Sequence, residues 1–320
     1  MVFMKTITII VPFLLCACTA LQHNNSFAYI TNQGDNTVSV IDINQAKVIH
    51  TITVGKAPVG VAVSKALQRA FITNVESSDI SVIDSTTSTV IGTLKTGGSP
   101  VGIAISPNNS ALYVADWYSD RILAIDTANY KNQRQVIVAK APAGMTVSPD
   151  SKTLYVAARD SNEIAVIDAA TLTITKHINV GKHPFGLALS QDGSVLYSVN
   201  VYENTVSIIN TKTWLIGKIK VGEHPYCAVS SPDNKTLYVT NTQDDTVSII
   251  DLNTQKIIAT VEVGMTPEGI SYDAASNQIL VASWGENKVS VIDAHTNKLK
   301  THIKTGDKSR AFGQFVLESF

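Results

Sequence analysis

The chain has 320 residues, 44% of them hydrophobic and only 16% charged, with a formal net charge of -1 and a pI near 6.6. That is enough apolar material for a large core. There is no basic excess of the kind that drives general nucleic-acid binding, and no acidic tail. With only three cysteines in the whole chain, a disulfide-rich scaffold is excluded.

The first element in chain order is the segment "MKTITIIVPFLLCACTALQ". Lys5 precedes an apolar run from Ile7 to Leu15, too short to span a bilayer as a helix and the right size for the core of a secretory signal. Within it, Leu15, Ala17 and Cys18 stand at the spacing of the lipobox of bacterial lipoproteins, which this stretch resembles. The resemblance implies a signal peptide over 1–17, lipidation of Cys18 as the mature N-terminus, a short linker over 18–26, and a cell-envelope location anchored to a membrane. Thr19 in place of Asp resembles the pattern of lipoproteins sorted onward to the outer membrane, periplasm-facing or on the surface. The alternative is an ordinary signal peptide cut near Ala20. Either cut leaves Cys227 as the only thiol of the folded part, without a partner for a disulfide.

From Phe27 onward the chain repeats. "YITN" at Tyr29 is followed by "FITN" at Phe71, "YVAD" at Tyr113, "YVAA" at Tyr155, "YSVN" at Tyr197, "YVTN" at Tyr238 and "LVAS" at Leu280, with steps of 42, 42, 42, 42, 41 and 42 residues. The unit from Tyr238 shows the content: "LYVTN", "TVSIID", "KIIATVEV" and "EGISY" are short runs rich in Val, Ile, Thr and Tyr, each bounded by turn residues. Val247, Ile249 and Ile250 put apolar residues on both faces of the second run, as a sheet sandwiched between two others requires. Seven such units predict an all-β fold, a seven-bladed β-propeller of four-stranded antiparallel blades, as a single domain over 27–320. The units resemble the YVTN-repeat propellers of bacterial and archaeal envelope proteins. They lack the Gly-His and Trp-Asp marks of WD40 repeats. That resemblance is specific for fold and weakly informative about function.

The ends of the chain predict how the ring closes. The first unit lacks an inner strand, and an orphan "RAFGQFV", Arg310 to Val316, follows the last outer run. An open ring would expose two edges, so the C-terminal strand is expected to complete the first blade. Two extra residues between Gly306 and Gly313 leave its register open.

The turns "GKAPVG", "GGSPVG", "AKAPAG", "GKHPFG", "GEHPYC" and "GMTPEG" lead from one outer strand to the next inner one. Pro fixes φ there, and Gly permits close approach near the axis. Cys227 takes the glycine position of its unit, which reads as a small buried side chain. Asp42, Asp84, Asp126, Asp168, Asp251 and Asp293 all end the "VID"-type strand, where the remaining unit has Asn210. Asn replaces Asp in an Asx-turn and not as a general base, so these are turn caps.

Subtracting the repeat leaves the face formed by the turns after the "YVTN"-type strands and the Gly-x-x-Pro turns. It gathers Trp117, Tyr118, Phe185, Tyr202, Tyr226, Trp284 and Phe312 with Arg121, Arg159, Lys182, His183, His224 and Arg310, while the opposite face has only Tyr130 and Trp214. Trp117, Tyr118, Arg121, Arg159, His183, Phe185, Tyr202, His224, Tyr226, Trp284, Arg310 and Phe312 are therefore the candidate ligand-binding residues of this top face. Aromatics after the Pro have a competing role as plugs of the central channel. Histidine recurs in only two of seven units, short of a metal site's three or four ligands, so no metal, cofactor or catalytic residue is assigned. The expectation is a monomeric, non-catalytic binding or scaffold propeller recognising an envelope protein, a peptide or a glycan. The alternatives are a metal-assisted lactonase-like hydrolase, which needs carboxylates at the axis where only Glu268 stands out, and single-stranded nucleic-acid binding by aromatic stacking beside Arg and Lys.

Overall fold

The computed structural model describes residues 25–131 and 133–318. The lipobox, with Cys18, and the signal segment 1–17 lie outside the described residues. Seven sheets of antiparallel strands follow one another around an axis: 27–53 completed by 316–317, then 58–95, 100–137, 142–179, 184–220, 225–262 and 267–304. They are numbered here as blades 1 to 7, and the inner strands of consecutive blades touch all the way round. Among the described residues no helix is long and apolar enough to cross a membrane.

Burial follows position in the blade. The "YVTN"-type strand, second from the axis, is buried along nearly its whole length, as in Leu237, Tyr238 and Val239, because neighbouring blades cover both its faces. The outermost strand alternates toward solvent, and in five blades it carries a bulge, at Ile91 in blade 2 for instance. A bulge bends an exposed edge and discourages edge-to-edge pairing.

The recurring Asn of the repeat is a clasp. In blade 6 the Asn241 amide donates to Thr246 and Ser248 of the next strand, and Asn32 and Asn200 do the same in blades 1 and 5. The Asn32 and Asn200 carbonyls accept the backbone N–H of Gly306 and Gly181 in the turn above. One side chain thus ties two strands to the incoming turn. The carboxylates that end the third strands accept backbone N–H groups of their own turns, as expected of caps: Asp84 from Thr86 and Thr87, Asp251 from Thr254, and Asn210 in the equivalent place from Lys212 and Thr213. The Thr86 hydroxyl and these backbone bonds hold the Asp84 carboxyl down at about 2, and Ser190 and Ser194 do the same for Asp192 on the same edge.

The C-terminal strand closes the ring in blade 1. Val316–Leu317 pairs antiparallel with Phe27–Asn32, Phe315 is fully buried, and its carbonyl accepts the Tyr29 N–H. The register is resolved at Ser309, which bridges Asn32 as Pro184 pairs with Asn200 in blade 5. Ala311 then takes the glycine position, its N–H donating to Thr31 Oγ1 as the Cys227 N–H donates to Thr240 Oγ1. The two extra residues are absorbed as a bulge. It swings Phe312–Gln314 toward the axis, where this segment pairs in parallel with the inner strand of blade 2.

Candidate functional site

The top face is built as rings. The residue after the Pro of each turn points to the axis, giving Val59, Val101, Ala143, Phe185, Tyr226, Glu268 and, by the register above, Arg310. Five of them, Val101, Ala143, Phe185, Tyr226 and Arg310, pack a carbonyl against the glycine of the blade before: a Cβ on Gly144 would stand 2.2 Å from the Phe185 carbonyl oxygen, and one on Gly186 2.5 Å from that of Tyr226. That close approach is the reason for glycine at this position. Around it lies the residue following each "YVTN"-type strand, which includes Trp117, Arg159 and Trp284, and outside that the next residue, which includes Tyr118, Asp160 and Tyr202.

Of the sequence-selected residues, four meet at the axis. Phe185 stacks on Tyr226 at 4.0 Å and contacts Phe312 at 4.8 Å and Trp117 at 5.8 Å. Phe185, at 3% exposure, and Phe312 are buried in this cluster, which closes the upper end of the channel. Trp117 reaches Phe185 because Ala143 leaves room between them. Arg310 joins the plug from the closing strand. Its Nε donates to Glu268 at 2.5 Å, Nη2 to the Tyr226 hydroxyl at 3.3 Å and Nη1 to Gln33 at 3.4 Å. Burial pushes the Glu268 carboxyl up while Arg310 pulls it back, and burial pushes the Tyr226 hydroxyl well up. Arg310, Phe185 and Phe312 are thus placed in packing rather than on open surface, because the C-terminal bulge fills the axis.

Arg121 is spent on structure too. It replaces the clasp partner in blade 3, with Nε on Asp116, Nη1 on Gln135, and Nη2 on the carbonyls of Thr96 and Gly97. Trp284 is partly covered, its indole N–H donating to Gln33 and the Lys308 ammonium lying 5.6 Å from its ring. His183 and His224 flank Tyr202, with centroids 4.1 and 5.4 Å from its ring. Burial and Arg159 hold the His183 imidazole below its usual range. Among the described residues no three His, Cys, Asp or Glu side chains converge.

What stands free is a sector over blades 3 to 5. Tyr118 is 82% exposed and Tyr202 59% exposed, on either side of blade 4. Between them Arg159 lies over Trp117, its guanidinium carbon 4.2 Å from the ring centroid, and its Nε donates to Asp160 at 2.7 Å. Blade 4 alone has Ala158 in the clasp position followed by a 3-10 turn, Arg159–Ser161. Sequence reasoning placed these residues in the same candidate set as Phe185 and Tyr226, for which it also offered the role of channel plugs, since a residue name does not carry exposure.

Below the plug the axis widens into a funnel of about 640 Å³ that opens on the opposite face. Its walls include Met145, Leu187, Val229 and Tyr272, with Lys65 and Glu318 among its lining residues. Sequence reasoning missed this cavity, whose lining alternates with buried residues along every inner strand and has no motif of its own. Cys227 borders it, and burial pushes its thiol well up, away from nucleophilic use.

Two family models match parts of the chain: YNCE-like beta-propeller over residues 186–274, and lactonase, 7-bladed beta-propeller, over residues 127–219. No curated protein matches it. Among solved structures, a functionally unknown protein from Desulfotomaculum acetoxidans DSM 771 has a TM-score of 0.80 at 13% identity, over 92% of this chain and 98% of that one. Kuenenia stuttgartiensis hydrazine synthase gives 0.75 at 23% identity, over 83% and 91%. The dihydro-heme d1 dehydrogenase NirN in complex with DHE gives 0.68 at 14%, over 88% and 74%. At such identities the likeness is one of fold, and the chain is a seven-bladed β-propeller whose blades resemble both families.

Proposed function

We propose that this chain is a non-catalytic binding propeller of the YVTN-repeat type, displayed in a bacterial envelope and recognising a protein, peptide or glycan on its top face. The observation that carries the reading is the pair of bare tyrosines, Tyr118 and Tyr202, flanking a guanidinium stacked on Trp117. Large aromatic side chains left in water together on one face are the usual anchors of a binding surface. A hydrolase reading has less support, because Glu268, the axial carboxylate, is held by Arg310 within the plug.

The test measures binding of an envelope extract to the immobilised protein alongside melting temperature. Tyr118→Ala and Tyr202→Ala should each weaken binding by about 2 kcal/mol and leave melting unchanged, since neither side chain is buried. Undiminished binding by the double variant would move the site to the funnel.

The same proposal includes a lipid anchor at Cys18, supported by Leu15 and Ala17 ahead of it. Cells fed a fatty-acid analogue should label the wild type and not Cys18→Ser. Equal labelling of both would reject the anchor.

A further inference from the structure

We propose that Arg159 is a carboxylate receptor beside the axial plug of the top face, and that its ligand is an acidic glycan whose sugar rings lie on Tyr118 and Tyr202. This rests on the top-face reading above and names the chemistry of its ligand.

The guanidinium of Arg159 is fixed on two sides and open on the third. Trp117 backs its plane, Asp160 takes its Nε, and among the described residues Nη1 and Nη2 donate to nothing. Its side chain is 29% exposed. Arg121 and Arg310, on the same face, have all three nitrogens engaged. An open pair of parallel N–H groups matches the two oxygens of a carboxylate, and a guanidinium already held in place gives up less rotamer freedom on binding. Arg159 is presented this way because Ala158 cannot make the clasp that the asparagines make, and the chain turns tightly there instead.

The surroundings select the rest of the ligand. Asp160, 40% exposed, offsets much of the charge of Arg159; His183, 3.8 Å from it, is held toward its neutral form, and Glu203 is taken by Lys218. Exposed Lys140 and Lys182 complete a weakly positive sector suited to single carboxylates rather than to a phosphate chain. A peptide would look for backbone donors, yet four of those in the flanking turns are already used: Lys140 N–H on Ser161, Ala141 on Asp120, Lys182 on Glu203 and His183 on Asn162. The open ring of Tyr118, the solvent side of Tyr202 left between His183 and His224, and side-chain polar tips remain, which suit sugar rings.

The experiment is calorimetry of the purified protein with oligogalacturonate, its methyl ester and oligothymidylate. Oligogalacturonate should bind, with the ester and the Arg159→Lys variant each about tenfold weaker, the worth of one charge-assisted pair. Arg159→Lys keeps the charge and loses the fork, so a merely structural or general electrostatic role would leave its affinity near wild type. Equal affinity for the ester, wild-type affinity in Arg159→Lys, absence of oligogalacturonate binding at millimolar concentration, or tighter binding of oligothymidylate would each overturn the proposal. If Tyr118→Ala and Tyr202→Ala lose the envelope extract while Arg159→Lys keeps it, only the role of Arg159 falls. If all three keep it, the top-face reading falls as well.

Discussion

Deleting residues 310–320 should abolish the soluble fold or lower its melting temperature more than any point substitution. The segment supplies the inner strand of blade 1 and buries Phe312, Phe315, Val316 and Leu317. Each fully buried side chain of this kind contributes about 1.5 to 3 kcal/mol. The sum is on the order of 10 kcal/mol, comparable with the whole stability of a typical domain. Backbone bonds are lost as well: the N–H groups of Tyr29 and Arg310 and the Thr31 carbonyl all take part in the closure. Because each blade covers its neighbours, an uncovered blade 1 also weakens blades 2 and 7. Measurement of solubility and melting for the truncation decides the matter. A truncated chain that melts with the full-length protein would mean that the strand Phe27–Asn32 is completed in some other way.

Glu268→Ala should be the most costly single change in the plug. It leaves the Arg310 guanidinium, partly buried, with only Tyr226 and Gln33, and removing one partner of a buried pair costs about 3 to 5 kcal/mol. The residual exposure of both side chains, 20% for Arg310 and 10% for Glu268, favours the lower end. Glu268→Gln keeps an acceptor facing Arg310 and should cost less than Ala, since burial already pushes the carboxyl up. Replacing both residues by Met should restore most of the loss. A Glu268→Ala protein as stable as wild type in urea would show that the pair carries no weight.

The pH profile carries the same balance. With its carboxyl raised, Glu268 contributes stability that is complete below the ordinary glutamate pKa and is lost as pH rises through its raised value. Asp84 and Asp192, held at about 2, act in the opposite sense: their stabilisation is present above the ordinary aspartate pKa and lost as pH falls toward 2. The Glu268→Gln variant should therefore lose the decline on the rising side and keep the acid limb. An unchanged profile on the rising side would remove Glu268 from the account.

The sequence by itself determined the architecture. Seven "YVTN"-type strands at steps of 41 or 42 residues, a Pro in six of the seven inward turns and an Asp or Asn at the end of every third strand repeat one local instruction. Local instructions survive reading one residue at a time, because strand pairing, Asx-turns and φ restriction act over a few residues. The closing strand was legible for the same reason, as a unit with a missing run at one end and a spare run at the other.

Only the tertiary structure decided which variable residues are surface. Phe185 and Tyr118 look alike in sequence as aromatics in top-face turns, yet the first is 3% exposed and the second 82%. What separates them is ring position: Phe185 lies at the axis against Tyr226 and Trp117, where the bulge at Arg310 to Gln314 adds Phe312 and brings Arg310 to Glu268 from 42 residues away, while Tyr118 lies in the outer ring. Arg121 and Arg159 divide in the same way. Asp116, Gln135 and the carbonyls of Thr96 and Gly97 together consume the donors of the one, while the other, after Ala158, gives only its Nε to Asp160. Burial and donor occupancy are sums over neighbours from several blades, and spacing along one chain does not encode such sums.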